Sequence, residues 1–302
     1  MRKQFCDALV ERSAVANMAF LTGDLGFMAL ESLQSALGNR FINAGVAEQN
    51  MISVAAAMSR EGFEVWAYSI APFCYARPFE QIRNDVCFHD LPVKLIGNGG
   101  GYGYGVMGPT HHAIEDYGIL LTLPNMSAYV PVFDEDVPAV IARMGNDTNP
   151  AYLRLGRGEQ PKDLPVPSYS PWRQLTHGRG MTVIAVGPLA SLYVSAVQML
   201  PDNERPNLWA IAELPLSKNP IPDQLIKQII AGPGICVAEE HVARGGFGAE
   251  LALYLAERGI FAPKFRHLCA RSHIYAAYGS QNFLREKSGL SAAQLIISVT
   301  SH

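Results

Sequence analysis

The chain has 302 residues, which suggests about two domains at roughly 150 residues each. Hydrophobic residues make up 49% and charged residues 17%, which excludes a disordered chain. The net charge of −3 comes from 24 basic and 27 acidic residues with no Lys/Arg block, which argues against nucleic acid as a partner.

Arg2 and Lys3 make a charged start, but Asp7, Glu11 and Arg12 interrupt any apolar run behind them, so no secretory signal is expected. Helical stretches are predicted at Leu33–Leu37 and Ala47–Arg60, and buried strands at Phe63–Tyr68, Pro92–Ile96 and Met126–Pro131. A helix at Glu135–Met144 and a strand at Ala151–Leu155 complete the first half. Strands alternating with helices imply right-handed crossovers and a parallel sheet, hence an α/β fold. Gly158–Gly180 holds Pro161, Pro165, Pro167 and Pro171 among charged and small polar residues. It reads as a stiff linker, which divides the chain into domains 1–160 and 178–302 with 161–177 between them.

The second half repeats the rhythm. Strands are predicted at Thr182–Val186, Leu208–Ala212, Ile235–Ala238 and Lys264–Leu268, and helices at Leu189–Leu200, Gln224–Ile230 and Phe247–Glu257. Gly180–Pro201 carries no charge and is long enough to span a bilayer. The Gly187-Pro188 pair would break such a helix in its middle, so strand, turn and helix are expected instead of a membrane segment. The five cysteines, Cys6, Cys74, Cys87, Cys236 and Cys269, are odd in number and form no CxxC pair. That points to a reducing compartment, here the cytoplasm, and not to disulfides or a zinc site.

Four segments carry chemistry. Gly97-Asn98-Gly-Gly-Gly-Tyr-Gly-Tyr-Gly105 follows a strand, and Gly103-x-Gly105-x-x-Gly108 matches the dinucleotide fingerprint literally. Pro109 sits where the following helix should run and no acid lies about 20 residues on, so a flexible loop closing over a site is the plainer reading. In His111-His112-Ala-Ile-Glu115, His111 and Glu115 are spaced to share a helical face and bind a metal, but no third ligand is apparent. His111 is better suited to substrate contact or proton transfer, its unperturbed pKa being near neutrality. Glu48 stands in the first turn of a helix with Ala47, Met51, Val54, Ala55 and Met58 on its apolar face, where a carboxylate is ordinarily a dipole partner. Glu239-Glu-His241 with Gly245-Gly-Phe-Gly248 makes a strand-to-helix turn with charged edges, and no GxSxG elbow supports a hydrolase.

Taken in order, these segments resemble the C-terminal half of transketolase over nearly the whole chain. Gly45-Val-Ala-Glu48-Gln49-Asn50 is similar to the family's G-x-A-E-Q/H signature, and Arg77-Pro-Phe-Glu-Gln-Ile-Arg-Asn84 to the stretch after its aromatic cofactor contact. Gly108-Pro-Thr-His111-His112 matches its G-P-T-H, and Leu123-Pro-Asn-Met126 and Arg154-Leu-Gly-Arg157 fit as well. Ala238-Glu-Glu-His241 with its glycines resembles the superfamily's C-terminal domain. The resemblance implies a pyrimidine-binding domain followed by that C-terminal domain. The pyrophosphate-binding domain is missing, since its G-D-G…N pattern is absent and Gly23-Asp24-Leu25 aligns elsewhere. The chain thus resembles the C-terminal subunit of a split enzyme. It should need an N-terminal partner subunit, with Mg²⁺ and diphosphate held mainly by that partner and a heterotetramer of two chains of each kind.

The family's cofactor, thiamine diphosphate, assigns roles to residues here. Glu48 matches the buried carboxylate that hydrogen-bonds the aminopyrimidine ring nitrogen and favours the imino tautomer, a task that a raised carboxyl pKa would serve. Phe73 matches the aromatic stacked on that ring. Ile70 and Ala76 replace other family aromatics, and Tyr75 is a candidate to compensate. Leu25, beside Asp24, matches the bulky residue that props the bent cofactor. His111 matches the histidine that touches donor hydroxyls, and Arg157 the arginine that binds the sugar phosphate. Met107 stands where the family has a hydroxyl-reading Asp, Gly99 where it has a phosphate-binding His, and Met28 where it has a phosphate-binding Ser. Losing such charge-assisted bonds costs about 1.5–3 kcal/mol each. The expected activity is therefore transfer of a two-carbon ketol unit with a substrate other than ordinary pentose phosphates, and with Arg157 as the one phosphate ligand left in this half. The rivals are the β-subunit of a 2-oxoacid dehydrogenase, which shares the fold, and a non-catalytic binding subunit.

Overall fold

Uncharged runs of aliphatic and aromatic residues form the strands, because a parallel strand covered on both faces has no solvent side to carry polar groups. The structure is a computed structural model and describes residues 1–14, 17–26 and 28–301. In chain order the strands are β1 (Met18–Thr22), β2 (Phe41–Asn43), β3 (Glu64–Ile70), β4 (Lys94–Asn98), β5 (Ser127–Tyr129), β6 (Ala151–Leu155), β7 (Trp172–Gln174), β8 (Thr182–Val186), β9 (Asn207–Ile211), β10 (Glu213–Leu214), β11 (Ile235–Val242) and β12 (Phe265–Ala270). They form two sheets, ordered β10-β5-β6-β4-β3-β1-β2 and β12-β11-β8-β9-β7. Pairing is parallel except at β10 with β5 and β7 with β9. The α/β architecture is the expected one. The antiparallel edge strands are not, since two- and three-residue strands carry no readable period.

One expectation shifts and one is met. The stretch 161–177 is not merely a linker, for it contains β7, and Arg173 on that strand makes a buried ion pair with Asp136, its Nη1 donating to Oδ1 at 2.8 Å. The charge-free run Gly180–Pro201 is β8, a turn at Gly187 and the helix Pro188–Gln198. Among the described residues no helix is long and apolar enough to cross a membrane.

The first sheet is covered on one face by the helices Arg2–Ser13 and Val137–Asn146, which bury Phe5, Leu9, Val140 and Ile141 against Phe20, Trp66 and Leu153. On its other face the helix Glu48–Arg60 buries Met51, Ile52, Ala55 and Ala56. Val54, predicted on that buried face, is exposed, and Ile52 takes its place. This second core runs on into the second sheet through Trp209, Ile211, Phe247 and Leu251, so the two sheets share packing.

In register, Thr22 lies beside Tyr68, Tyr68 beside Ile96, and Ile96 beside Leu153. The carboxyl ends of these parallel strands therefore finish together, where open α/β sheets bind ligands. The glycine-rich segment leaves β4 at this edge, and it is a packed turn, not a flexible lid. The Tyr152 ring fills the space where a Cβ on Gly97 would stand, and Glu240 does the same at Gly101, whose φ of +64° also favours glycine. Gly97→Ala is expected to lower stability by about 1–3 kcal/mol by forcing the Tyr152 ring away, read as a lower urea midpoint; an unchanged midpoint would refute the close packing.

Candidate active site

Each candidate residue follows the carboxyl end of a parallel strand. Asp24 and Leu25 follow β1, Glu48 follows β2, Phe73 follows β3, His111 lies beyond the glycine turn after β4, and Arg157 follows β6. Asn43 ties two of these loops together. Its Nδ2 donates to Asp24 Oδ1 at 3.0 Å, and its Oδ1 accepts from the Gly45 N–H at 2.9 Å. Asp24 and Leu25 line a small cavity of about 260 Å³ with Thr22 and Leu30.

Glu48 is buried at the first turn of its helix. Arg77 Nη1 donates to both of its carboxylate oxygens at 2.9 Å. The same guanidinium lies over the Phe73 ring, 3.9 Å from ring centre to Cζ. The His111 ring meets Phe73 edge-on at 5.1 Å between centroids, and Tyr104 is 6.3 Å from His111 on its other side. His111 Nδ1 and Thr110 Oγ1 are hydrogen bonded at 2.9 Å. Burial, and after it the charge of Arg77, lowers the His111 pKa and so favours the neutral ring. Glu48, Phe73, His111 and Tyr104 thus form one continuous wall with Arg77 laid on it.

From Tyr104 the wall opens into a cleft of about 1100 Å³ that includes Asn98, Gly99, Met28, Arg157 and Arg2. Asn98 Nδ2 donates to the Tyr104 hydroxyl at 2.6 Å. Lys3 is committed to Asp7 at 2.6 Å, and Asp134 to the N-terminal amine at 2.7 Å. Among the described residues neither Arg2 nor Arg157 has a carboxylate partner, and both line this cleft. Arg2 does so from the first helical turn. In the sequence Arg2 reads only as part of a charged start, as nothing there indicates that the first helix folds back onto the edge of the sheet.

Several predicted residues stand apart. Tyr75 does not join Phe73. Two residues on in the same helical turn, it is buried on the opposite side, where burial and then the carboxylates of Asp116 and Glu115 push its hydroxyl pKa up. Met107 is exposed on the turn Gly105–Met107. His111 and Glu115 do not converge on a metal, since Glu115 bonds the Ile114 N–H and His273 Nε2, each at 3.0 Å. Sequence reasoning also missed Arg77. No helical spacing marks it, since Arg77 lies in the turn past the end of the helix Ala71–Tyr75 and meets Phe73 only through the fold.

His112 is buried, stacked on His273 at 5.7 Å and edge-on to Tyr102, with neither ring nitrogen hydrogen bonded among the described residues. Burial first, and then the His273 charge, holds its pKa down to about 4, against an ordinary 6.5. The unfolded chain takes up this proton below pH 6.5 and the folded chain does not, so the stability His112 contributes is full above pH 6.5 and lost as pH falls toward 4. His273, raised by its bond to Glu115, titrates with the opposite sign and is retained in the variant. The loss of thermal stability between pH 6.5 and 4 should be shallower in His112→Phe than in the parent chain; equal slopes would exclude a neutral buried His112.

Comparison with known proteins gives one family match and several close relatives. The model of the transketolase pyrimidine-binding domain matches residues 11–162. The chain is 28% identical over 291 residues to an apulose-4-phosphate transketolase subunit of Phocaeicola vulgatus, covering 92% of each chain. It is 28% identical over 262 residues to the protein of the same name from Actinobacillus succinogenes, covering 85% of this chain and 83% of that one. Among solved structures, a split-gene transketolase described as an inactive β4 tetramer superposes with a TM-score of 0.82 and 29% identity, covering 98% of this chain and 95% of that one.

Proposed function

Because this chain belongs to the transketolase pyrimidine-binding family, we propose that it is the C-terminal subunit of a thiamine-diphosphate-dependent ketol transferase. The observation that carries the reading is the buried Glu48 carboxylate beside the face of Phe73, with His111 across that ring. The residues fit the cofactor's pyrimidine, since the pocket already takes a flat group with N–H donors, the Arg77 guanidinium. When bound, thiamine diphosphate supplies the nucleophilic carbon that takes up a two-carbon unit and passes it on. Glu48 accepts a hydrogen bond from a ring nitrogen and shares its proton, Phe73 offers a stacking face, and Leu25 beside Asp24 supports the cofactor from the loop after β1. His111 is held by Thr110 through Nδ1, which leaves Nε2 for a substrate hydroxyl.

Residues 1–160 form the pyrimidine-binding unit in this reading, and residues 178–302 the organising C-terminal unit. A separate N-terminal subunit supplies the Mg²⁺ and diphosphate ligands, and two chains of each kind assemble in the cytoplasm. Val46 and Val54, exposed on either side of Glu48, suit cover by such a partner. Arg157 and Arg2 favour an anionic sugar substrate. Gly99 and Met28 in the same cleft remove polar contacts near them, and the substrate is a phosphorylated sugar other than the ordinary pentose phosphates, in keeping with the apulose 4-phosphate of the relatives' names.

The test is reconstitution with an N-terminal transketolase subunit, thiamine diphosphate and Mg²⁺, with ketol transfer and 2-oxoacid decarboxylation assayed side by side. Glu48→Gln is expected to cut ketol transfer by about 10²–10⁴-fold. Undiminished activity, or decarboxylation alone, would sink the reading. Arg2→Ala and Arg157→Ala should each raise KM for a phosphorylated sugar about 10- to 100-fold and leave an unphosphorylated analogue unaffected, since each removes a charge-assisted hydrogen bond. Equal effects on both sugars would place the arginines outside the anion site.

A further inference from the structure

The Arg77 side chain does two things at once. Its plane covers Phe73, and its Nη1 holds both oxygens of Glu48. These are the two contacts that a pyrimidine ring needs from this chain, a flat aromatic face and a buried acceptor. Guanidinium and protonated aminopyrimidine are chemically alike in this respect, as both are planar, delocalised and rich in N–H donors. A ring and the guanidinium cannot occupy the same face of Phe73 together.

We propose that Arg77 is a placeholder for the pyrimidine, seated on Phe73 and Glu48 while the cofactor is absent and displaced when it binds. The proposal rests on the reading of this pocket as the pyrimidine site. Two physical features support it. A buried carboxylate left without a partner is costly, so an empty site needs a cation, and Arg77 is the one bonded to it. The arginine is also free to leave, because its side chain is 43% exposed whereas that of Glu48 is 5% exposed. Its departure opens the ring face without breaking the core, and the cofactor then supplies the N–H donor that Glu48 loses. The arrangement keeps the isolated subunit stable and sets a threshold for loading, since the cofactor's apparent affinity falls with the fraction of time the arginine is seated.

The test measures binding of thiamine diphosphate with Mg²⁺ to the reconstituted two-subunit complex by calorimetry, for the parent and for Arg77→Ala and Arg77→Met. If the arginine is seated most of the time, both substitutions should lower Kd about 3- to 10-fold. An unchanged or weaker affinity in both variants overturns the placeholder. A parent complex that takes up no thiamine diphosphate overturns the functional reading and this inference with it. A second measurement needs no activity. The melting-temperature shifts of Arg77→Ala and Glu48→Gln should be non-additive in the isolated chain and additive in the cofactor-loaded complex. Additive shifts in the isolated chain overturn the contact. Should Arg77→Ala fail to fold, Arg77→Lys keeps the charge but cannot lay a planar fork on the ring, and its Kd should fall between those of the parent and Arg77→Met.

Discussion

The arrangement turns on one buried cation. Arg154, on β6, lies between the two sheets, where its Nη2 donates to the Ala113 carbonyl at 2.8 Å and to the Glu240 carbonyl at 2.7 Å, and its Nε faces Asp116 at 3.3 Å. Glu240, on β11, accepts from the Tyr102 N–H at 2.7 Å and from Arg285 Nη2 at 2.6 Å. A guanidinium cannot be buried without such partners, and here they come from the segment after His111 and the second sheet, whose Glu240 in turn holds the glycine turn through the Tyr102 N–H. Satisfying this linked pair of charges therefore fixes the relative placement of all three. Arg157 follows three residues after Arg154, so the same constraint sets where Arg157 enters the cleft.

A second constraint acts at the other end of the site. Glu48 is buried because the helix Glu48–Arg60 packs flat on the first sheet, which leaves its first turn beneath the loop that carries Phe73. The carboxylate needs a donor, and the aromatic face favours a flat, electron-poor one. The pocket thus selects planar nitrogen groups by shape and charge together. Arg77 satisfies that selection from within the chain, through Glu48 and the Phe73 face together.

The two regions differ in polarity for a physical reason. The wall formed by Phe73, His111 and Tyr104 is largely aromatic, and burial favours the neutral His111 ring there. The cleft beyond it is more polar: among the described residues its Arg2 and Arg157 have no carboxylate partner, while Asp7 pairs with Lys3, Asp134 with the N-terminal amine, and Glu31 accepts from the Met28 N–H.

The sequence by itself determined the alternation of strands and helices, the parallel sheets and the position of most elements, because uncharged runs and apolar periodicity are local signals. The family motifs also marked Glu48, Phe73, His111 and Arg157 as candidates; Glu48, Phe73 and Arg157 lie shortly after strands, and His111 lies beyond the glycine turn that follows β4. The short edge strands β7 and β10 were not legible, as two or three residues show no period, and β10 pairs with β5 from far along the chain. Only the tertiary structure decided that Arg77 covers Phe73, that Tyr75 turns away from it, and that Arg2 reaches the cleft lined by Arg157. Those contacts depend on which helix face meets which sheet and on partners distant in sequence. A buried charge chooses its partner by proximity in space, which residue order alone does not encode in readable form.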